Sequence, residues 1–205
     1  MINADALLKA FGAIAGTMSQ QRNYLIELDQ RNGDGDLGIS MDDGYTAAYN
    51  AISGSGEKDL GKLCICAGKA FNEAAPSSLG TITSLCLMGM ARVLKGKEEA
   101  DIALLGEAMK AGLEKVMEKA GSKPGEKTIL DAVYPAVTTL SENADKDLKT
   151  AFKAAADAAA KGAESTAEMI AVHGRAAYFG EKSIGLVDGG AVVGKLIFES
   201  ILTVV

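Results

Sequence analysis

The stretch IALLGEAMKAGLEKV, Ile102 to Val116, decides the fold. Its apolar residues Ile102, Leu105, Met109, Leu113 and Val116 recur every three or four positions, which gathers them on one face of an α-helix. The same period runs upstream through Leu7, Phe11, Ile14 and Met18, and downstream through Ile129, Val133, Ala136 and Leu140. No segment shows the convincing alternation of a half-buried strand, so the chain is read as all-α. Leu148, Phe152, Ala155 and Ala159 continue the pattern into an alanine-rich stretch. It is carried as one helix through Gly162 to Val172 despite the conformational cost of the glycine. Ser165 with Glu168 offers the alternative of a fresh helix start there. The segmentation predicts helices near 4–28, 40–53, 59–74, 77–95, 101–120, 128–141, 145–172 and 191–204.

Short connections favour antiparallel neighbours, so successive loops alternate between the two ends of an up-and-down bundle. The first, third, fifth and seventh connections, at 29–39, 74–77, 121–127 and 173–190, are then expected to meet at one end. Glycine makes up 24 of the 205 residues, above average usage, and many of these lie in those four connections. Glycines often do no more than end helices, but glycine also admits a ligand close to the backbone. Their convergence on one end favours a ligand site there.

The 205 residues, 48% of them hydrophobic, suffice for one core, and residues 1–205 are read as a single domain. A net charge of −6 and a pI near 4.9 argue against a nucleic-acid surface, which needs clustered Lys and Arg. Met1 to Ala10 lacks the cationic start and apolar run of a signal peptide. The apolar stretch from Ala191 to Val205 is too short to span a bilayer and is broken by Lys195 and Glu199. A cytoplasmic chain with no membrane partner is expected. Cys64, Cys66 and Cys86 form no CxxC pair and read as free packing thiols.

The chemistry concentrates in LDQRNGDGDLGISM, Leu28 to Met41, where glycines let Asp29, Asp34 and Asp36 fold toward one point. Clustered carboxylates repel one another, and a hard divalent cation such as magnesium relieves the repulsion. An acidic loop alone is more often simply solvated. Here, however, Ser40 and Asp43 read as an S-x-x-D helix start, which turns the positive end of a helix dipole toward the same loop. Cation and helix N-terminus together suit an anionic, phosphate-bearing ligand. Asn32, Asp34, Asp36 and Ile39 imitate the opening of an EF-hand, but Leu37 sits where its glycine is needed and Asp43 where its terminal Glu is needed. Gly121, Lys127 and Thr128 imitate a P-loop, but Glu126 replaces its second glycine and no strand precedes it. Both motifs are rejected.

These residues resemble the L subunit of dihydroxyacetone kinase, the nucleotide-binding component of that kinase family. The likeness spans almost the whole chain. It is carried by LDxxxGDGDxGxxM from Leu28 to Met41, GT at Gly80 and Thr81, PGEKTxxD from Pro124 to Asp131, and GRAxYxGExSIGxxDxGA from Gly174 to Ala191. The resemblance implies an eight-helix antiparallel up-and-down barrel with ADP or ATP at one rim. Two Mg2+ ions on Asp29, Asp34 and Asp36 would hold the nucleotide. It also implies phosphate contacts along Gly38, Ile39 and Ser40, third-loop contacts at Ala74 and Ala75, and Ile129 beside the adenine. Asp188, Gly189 and Gly190 would complete the site, with Arg175 both contacting the nucleotide phosphates and acting as the catalytic residue at the transferred phosphoryl group. The implied partners are a K subunit carrying dihydroxyacetone or a related short ketose and, in many bacterial relatives, a phosphorylated M subunit that draws on phosphoenolpyruvate. Other relatives exchange ATP with solution.

Two departures from the family pattern stand out. Leu37 occupies the position where the family usually has His. Asn72-Glu73-Ala74-Ala75-Pro76-Ser77 replaces GGASGP, so that Ala75 lacks a hydroxyl and Pro76 an N–H, with Ser77 or Ser78 available from a shifted position. A divergent paralogue that binds nucleotide without transferring phosphate, or that acts as a regulatory module, is therefore the alternative function, and a purely structural bundle a third. His173 could act as a phosphocarrier nucleophile, although a His at such a position more often ends a helix. Thr128 with Asp131 reads as a capping box.

Overall fold

In the computed structural model, which describes residues 1–205, eight α-helices follow one another: α1 Ala4–Asp29, α2 Leu37–Ile52, α3 Leu60–Ala74, α4 Ser78–Leu94, α5 Ile102–Ala120, α6 Leu130–Glu142, α7 Leu148–Ser165 and α8 Gly189–Leu202. Each helix packs on its neighbours in sequence, and α8 returns against α1 to close the ring. This is the expected all-α up-and-down barrel.

The helices close because each presents one apolar face inward. Phe11, Ile14 and Met18 of α1 are buried, as are Leu105, Leu113 and Val116 of α5 and Ala136, Val137 and Leu140 of α6. Phe71 of α3 meets Tyr45 of α2 edge-on, with ring centroids 4.9 Å apart. The faces surround an apolar cavity of about 230 Å3, bordered by Phe11, Ile14, Leu87, Leu113, Phe152 and Phe198. Cys64 and Cys86 behave as the packing thiols expected of them, with burial pushing both up to about 12, whereas Cys66, expected to pack likewise, is exposed. No helix is long and apolar enough to cross a membrane.

Gly162 shows why the alanine-rich α7 tolerates a helix-interior glycine. A Cβ there would lie 2.1 Å from the carbonyl oxygen of Asp131, so glycine is what lets α7 lie against the start of α6.

Three expectations are corrected. The seventh helix ends at Ser165, not near residue 172. The hydroxyls of Ser165 and Thr166 donate to the carbonyls of Gly162 and Ala163, a 3-10 turn follows at Thr166–Glu168, and Met169 is extended. The second helix begins at Leu37 with Asp36 in the N-cap position, so Ser40 lies inside the first turn and caps nothing. A minimal antiparallel ladder also exists: β1, Ile2–Asn3, pairs with β2, Glu99–Ala100. Two residues per strand are too few to leave an alternating pattern.

Candidate functional site

Antiparallel alternation puts the starts of α2, α4, α6 and α8 at one end, together with the end of α1. A cleft of about 950 Å3 opens there, and its walls come from all four connections grouped by the parity argument. Leu37, Ser78, Ile129 and Gly189, each at the start of one of those helices, border it. Four helix N-termini, and with them the positive ends of four helix dipoles, thus face one space, although the Leu130, Asp131 and Ala132 N–H groups of α6 are already paired.

The acidic loop takes its shape from Asp29, the last residue of α1. Its carbonyl accepts from the Gly33 N–H at 2.6 Å and its carboxylate from the Gly35 N–H at 2.7 Å, which folds the chain back on itself. Asp34 and Asp36 are thereby brought to Asp29, and one carboxylate oxygen of each lies within 4.8 Å of the others. Asp36 occupies the N-cap position of α2 yet makes no side-chain capping bond, so its carboxylate is left to the cluster. Burial, then the charges of Asp34 and Asp29, raise its pKa above the ordinary carboxylate range, with Arg175 opposing them. Three crowded hard-oxygen donors, one of them electrostatically frustrated, suit a divalent cation of the magnesium type. Arg175 reaches the same cluster from the far side of the cleft, with Nη2 2.7 Å from Asp34 Oδ2.

Asp188 caps α8 by accepting from the Ala191 N–H at 2.7 Å, and its own N–H donates to Thr166 Oγ1 at 2.9 Å. Burial, aided by the charge of Asp131, raises its pKa to about 6 against the pull of the Ala191 N–H and of Lys127. Gly189, Gly190 and Ile129 border the cleft beside it, as expected. Leu79, Ile82 and Val116 add the apolar wall that a flat base would need.

Other expected contacts lie apart from the cleft wall. Gly38 is a packing glycine, because a Cβ there would stand 2.1 Å from the carbonyl oxygen of Arg22 on α1. Ile39 is exposed away from the cleft wall, so Gly38 and Ile39 have only main-chain N–H groups of the first turn to offer. Ser40 is buried and its N–H already donates to the Asp36 carbonyl, so it is not a cleft residue. Ala74 closes α3, and Ala75 is buried with its N–H donated to the Phe71 carbonyl. In this connection Pro76, Ser77 and Ser78 face the cleft instead. The Ser77 hydroxyl is partly engaged, since it accepts from the Gly80 N–H at 3.1 Å as the cap of α4.

Half of the expected capping box forms: the Asp131 carboxylate accepts from the Thr128 N–H at 2.7 Å, but Thr128 Oγ1 accepts from the Leu130 N–H at 3.2 Å and the Asp131 N–H goes to the Thr128 carbonyl. His173 is tied to Glu126 through Nε2 at 2.6 Å. That bond holds the Glu126 carboxyl below its ordinary range, with the Lys123 N–H second in effect. Asn72, Thr81, Ser122 and Lys127 also border the cleft. In the sequence Lys127 stands in the rejected P-loop imitation and in the PGEKTxxD motif, and neither marks it as buried.

The DAK2 domain family matches residues 32–203, and the chain belongs to that family. It is 29% identical over 199 residues, covering 97% of this chain and 95% of the relative, to the PEP-dependent dihydroxyacetone kinase 1, ADP-binding subunit DhaL, of Listeria innocua. It is likewise 29% identical over 175 residues, 84% and 83% of the two chains, to the PEP-dependent dihydroxyacetone kinase ADP-binding subunit DhaL of Escherichia coli. In three dimensions it resembles the dihydroxyacetone kinase of C. freundii with a TM-score of 0.78 at 24% identity, covering 97% of this chain and 34% of that one. The chain thus spans about a third of that larger protein, and the likeness speaks to the fold.

Proposed function

We propose that this chain is the nucleotide-binding subunit of a dihydroxyacetone-type kinase, a phosphotransferase component active with partner subunits. The observation that carries the reading is the meeting of Asp29, Asp34, Asp36 and Arg175 at a rim encircled by four helix N-termini. The DhaL relatives carry ADP-binding in their names, and the chain aligns with them nearly end to end.

In this reading Asp29, Asp34 and Asp36 hold magnesium, two ions by the family pattern, and ADP or ATP spans the cleft with its base toward Ile129, Leu79 and Ile82. The ions supply charge neutralisation at the phosphate oxygens. The first-turn N–H groups at Gly38, Ile39, Ser78 and Gly189 would face phosphate oxygens and orient them, while that of Gly190 is engaged by the Asp188 carboxylate. Arg175, paired with Asp34 in this structure, would turn its guanidinium to the bound nucleotide's phosphates and to the charge that develops on the transferred group. No side-chain nucleophile is needed. The acceptor, dihydroxyacetone or a related short ketose, is held by a separate K subunit docked on this rim. A phosphorylated M subunit or solution ATP renews the donor.

Calorimetry with ADP, with and without magnesium, on wild type and Asp34→Ala tests the reading. Metal-dependent binding that the substitution weakens strongly is expected, and equal binding by both proteins removes the site. A second reading, a nucleotide-retaining regulatory paralogue, is favoured by Leu37, which is buried against Gly189 with no donor to offer, and by Pro76. Phosphate transfer assayed with purified K subunit separates the two. Tight magnesium-dependent ADP binding without transfer from either ATP or the M subunit selects the regulatory reading.

A further inference from the structure

The connection between α7 and α8 is the longest between helices in the chain, and it carries Arg175 at its tip. The Arg175–Asp34 ion pair does not explain how that tip is held. Its side chains are 66% and 39% exposed, and exposed pairs contribute little once solvent screening and side-chain entropy are counted. The anchorage has to lie deeper in the fold.

It lies at Lys127, which is 2% exposed although it carries an ammonium group. Its Nζ donates to the carbonyl of Met169 at 3.1 Å and to that of Ser183 at 2.5 Å, one on either side of Arg175 in the sequence. The two arms of the connection are thus clamped by a single charged donor in surroundings where such hydrogen bonds are strong. Further ties gather around the same clamp. Ser183 Oγ accepts from the Ala171 N–H at 3.0 Å and donates to the Gly180 carbonyl at 2.7 Å, and the Gly185 N–H donates to the Ala167 carbonyl at 2.7 Å. Lys127 is the chain's sole non-glycine residue with positive φ, at 60°. That backbone state is unfavourable for a residue with a side chain. The strain is retained where it turns the side chain inward between the two arms.

We propose that Lys127 is a positioning residue that pins both arms of the α7–α8 connection and so sets Arg175 against the acidic cluster. The inference rests on the nucleotide-site reading above, and it assigns to Lys127 an effect exerted through Arg175.

The test is a double-mutant cycle on the full chain: wild type, Lys127→Met, Arg175→Ala and the double variant, with ADP affinity read by calorimetry in magnesium. Amide exchange at Ala171 and Gly185 is read in parallel. Lys127→Met is expected to lower ADP affinity about tenfold or more, the scale on which small misplacements act. It should also speed exchange at Ala171 and Gly185 while amides within α5 and α7 stay protected. In the Arg175→Ala background the same change is expected to weaken binding less than about twofold, because coupled residues are non-additive. Lys127→Gln, which keeps a neutral donor, falls between wild type and Lys127→Met and serves for the cycle if Lys127→Met does not fold. Equal losses in both backgrounds, or unchanged affinity, overturn the proposal. If wild type itself fails to bind ADP with magnesium, the nucleotide-site reading falls. The exchange arm then still decides the clamp, with unchanged exchange at Ala171 and Gly185 overturning it.

Discussion

The two ends of the barrel use the same residue type at the same kind of place to opposite effect. At the end away from the cleft, Asp59, Asp101 and Asp147 precede α3, α5 and α7, and each carboxylate is spent on capping. Asp59 accepts from the N–H groups of Gly61 and Lys62 and, across the bundle end, from Gly96. Burial draws its carboxyl up, but the N–H groups of Lys62, Gly96 and Gly61 together hold it below the ordinary range. Asp147 is held low by the Thr150 hydroxyl and then by the Thr150 N–H. At the cleft end Asp36 also stands at a helix start but caps nothing and is pushed up by burial and its acidic neighbours. Asp188 does cap α8, yet burial still lifts it to about 6. At the far end backbone donors fill the carboxylate lone pairs, whereas at the cleft end Asp36 has no capping donor and burial lifts Asp188 despite its cap.

That contrast can be broken by exchanging roles. Asp36→Ala is expected to lower magnesium-dependent ADP affinity by roughly two orders of magnitude, since hard-cation affinity follows the number of ligating charges. Thermal stability without metal should hold or rise, because a repelling charge is gone. Calorimetry and melting curves on one preparation check both halves. Gly38→Ala probes the frame of the acidic loop rather than its charge. Forcing a methyl toward the Arg22 carbonyl should destabilise the fold by about 2 kcal/mol, the usual scale of overpacking, measured by urea unfolding. Asp147→Ala is the mirror image of Asp36→Ala. It should lower the melting temperature modestly, as a lost N-cap, and leave ADP affinity unchanged. A drop in affinity there would dissolve the distinction between the ends.

The smallest effect sharpens the comparison through pH. Asp188 has a folded-state pKa raised to about 6 from an ordinary 3.8, so between those values the folded chain binds a proton that the unfolded chain has lost. Stability therefore falls as pH rises through that window, and the cost is fully present above about pH 6. Asp188→Asn keeps a capping oxygen for Ala191 without the charge. Its melting temperature should exceed that of wild type at pH 7.5, with the gain fading toward pH 4. A gain that persists undiminished at pH 4 would show that the buried charge is not its cause.

Much of this architecture was legible before any coordinates. The period of Ile102 to Val116 and its counterparts gave the helices, and the parity of short connections grouped the four loops that border the cleft. Asp29, Asp34 and Asp36 were legible as a cluster because they sit within one glycine-bearing turn, where sequence distance limits spatial distance. The end of α7 was misplaced because alanine propensity favours helix through residue 172, while the side-chain bonds of Ser165 and Thr166 and the clamp on Met169 favour an exit. Ile39, Ser40, Ala74 and Ala75 were assigned by motif position, and a motif does not say which face of a turn a side chain takes.

By itself the sequence determined what depends on neighbours along the chain: helical faces, the acidic turn, the Thr128–Asp131 cap and the alternation of ends. Only the tertiary structure decided that Arg175 reaches Asp34, that burial raises the Asp188 carboxyl to about 6, and that Lys127 turns inward between Met169 and Ser183. Those facts depend on desolvation and on contacts between segments far apart in the chain. Such contacts exist only once the ring of helices has closed.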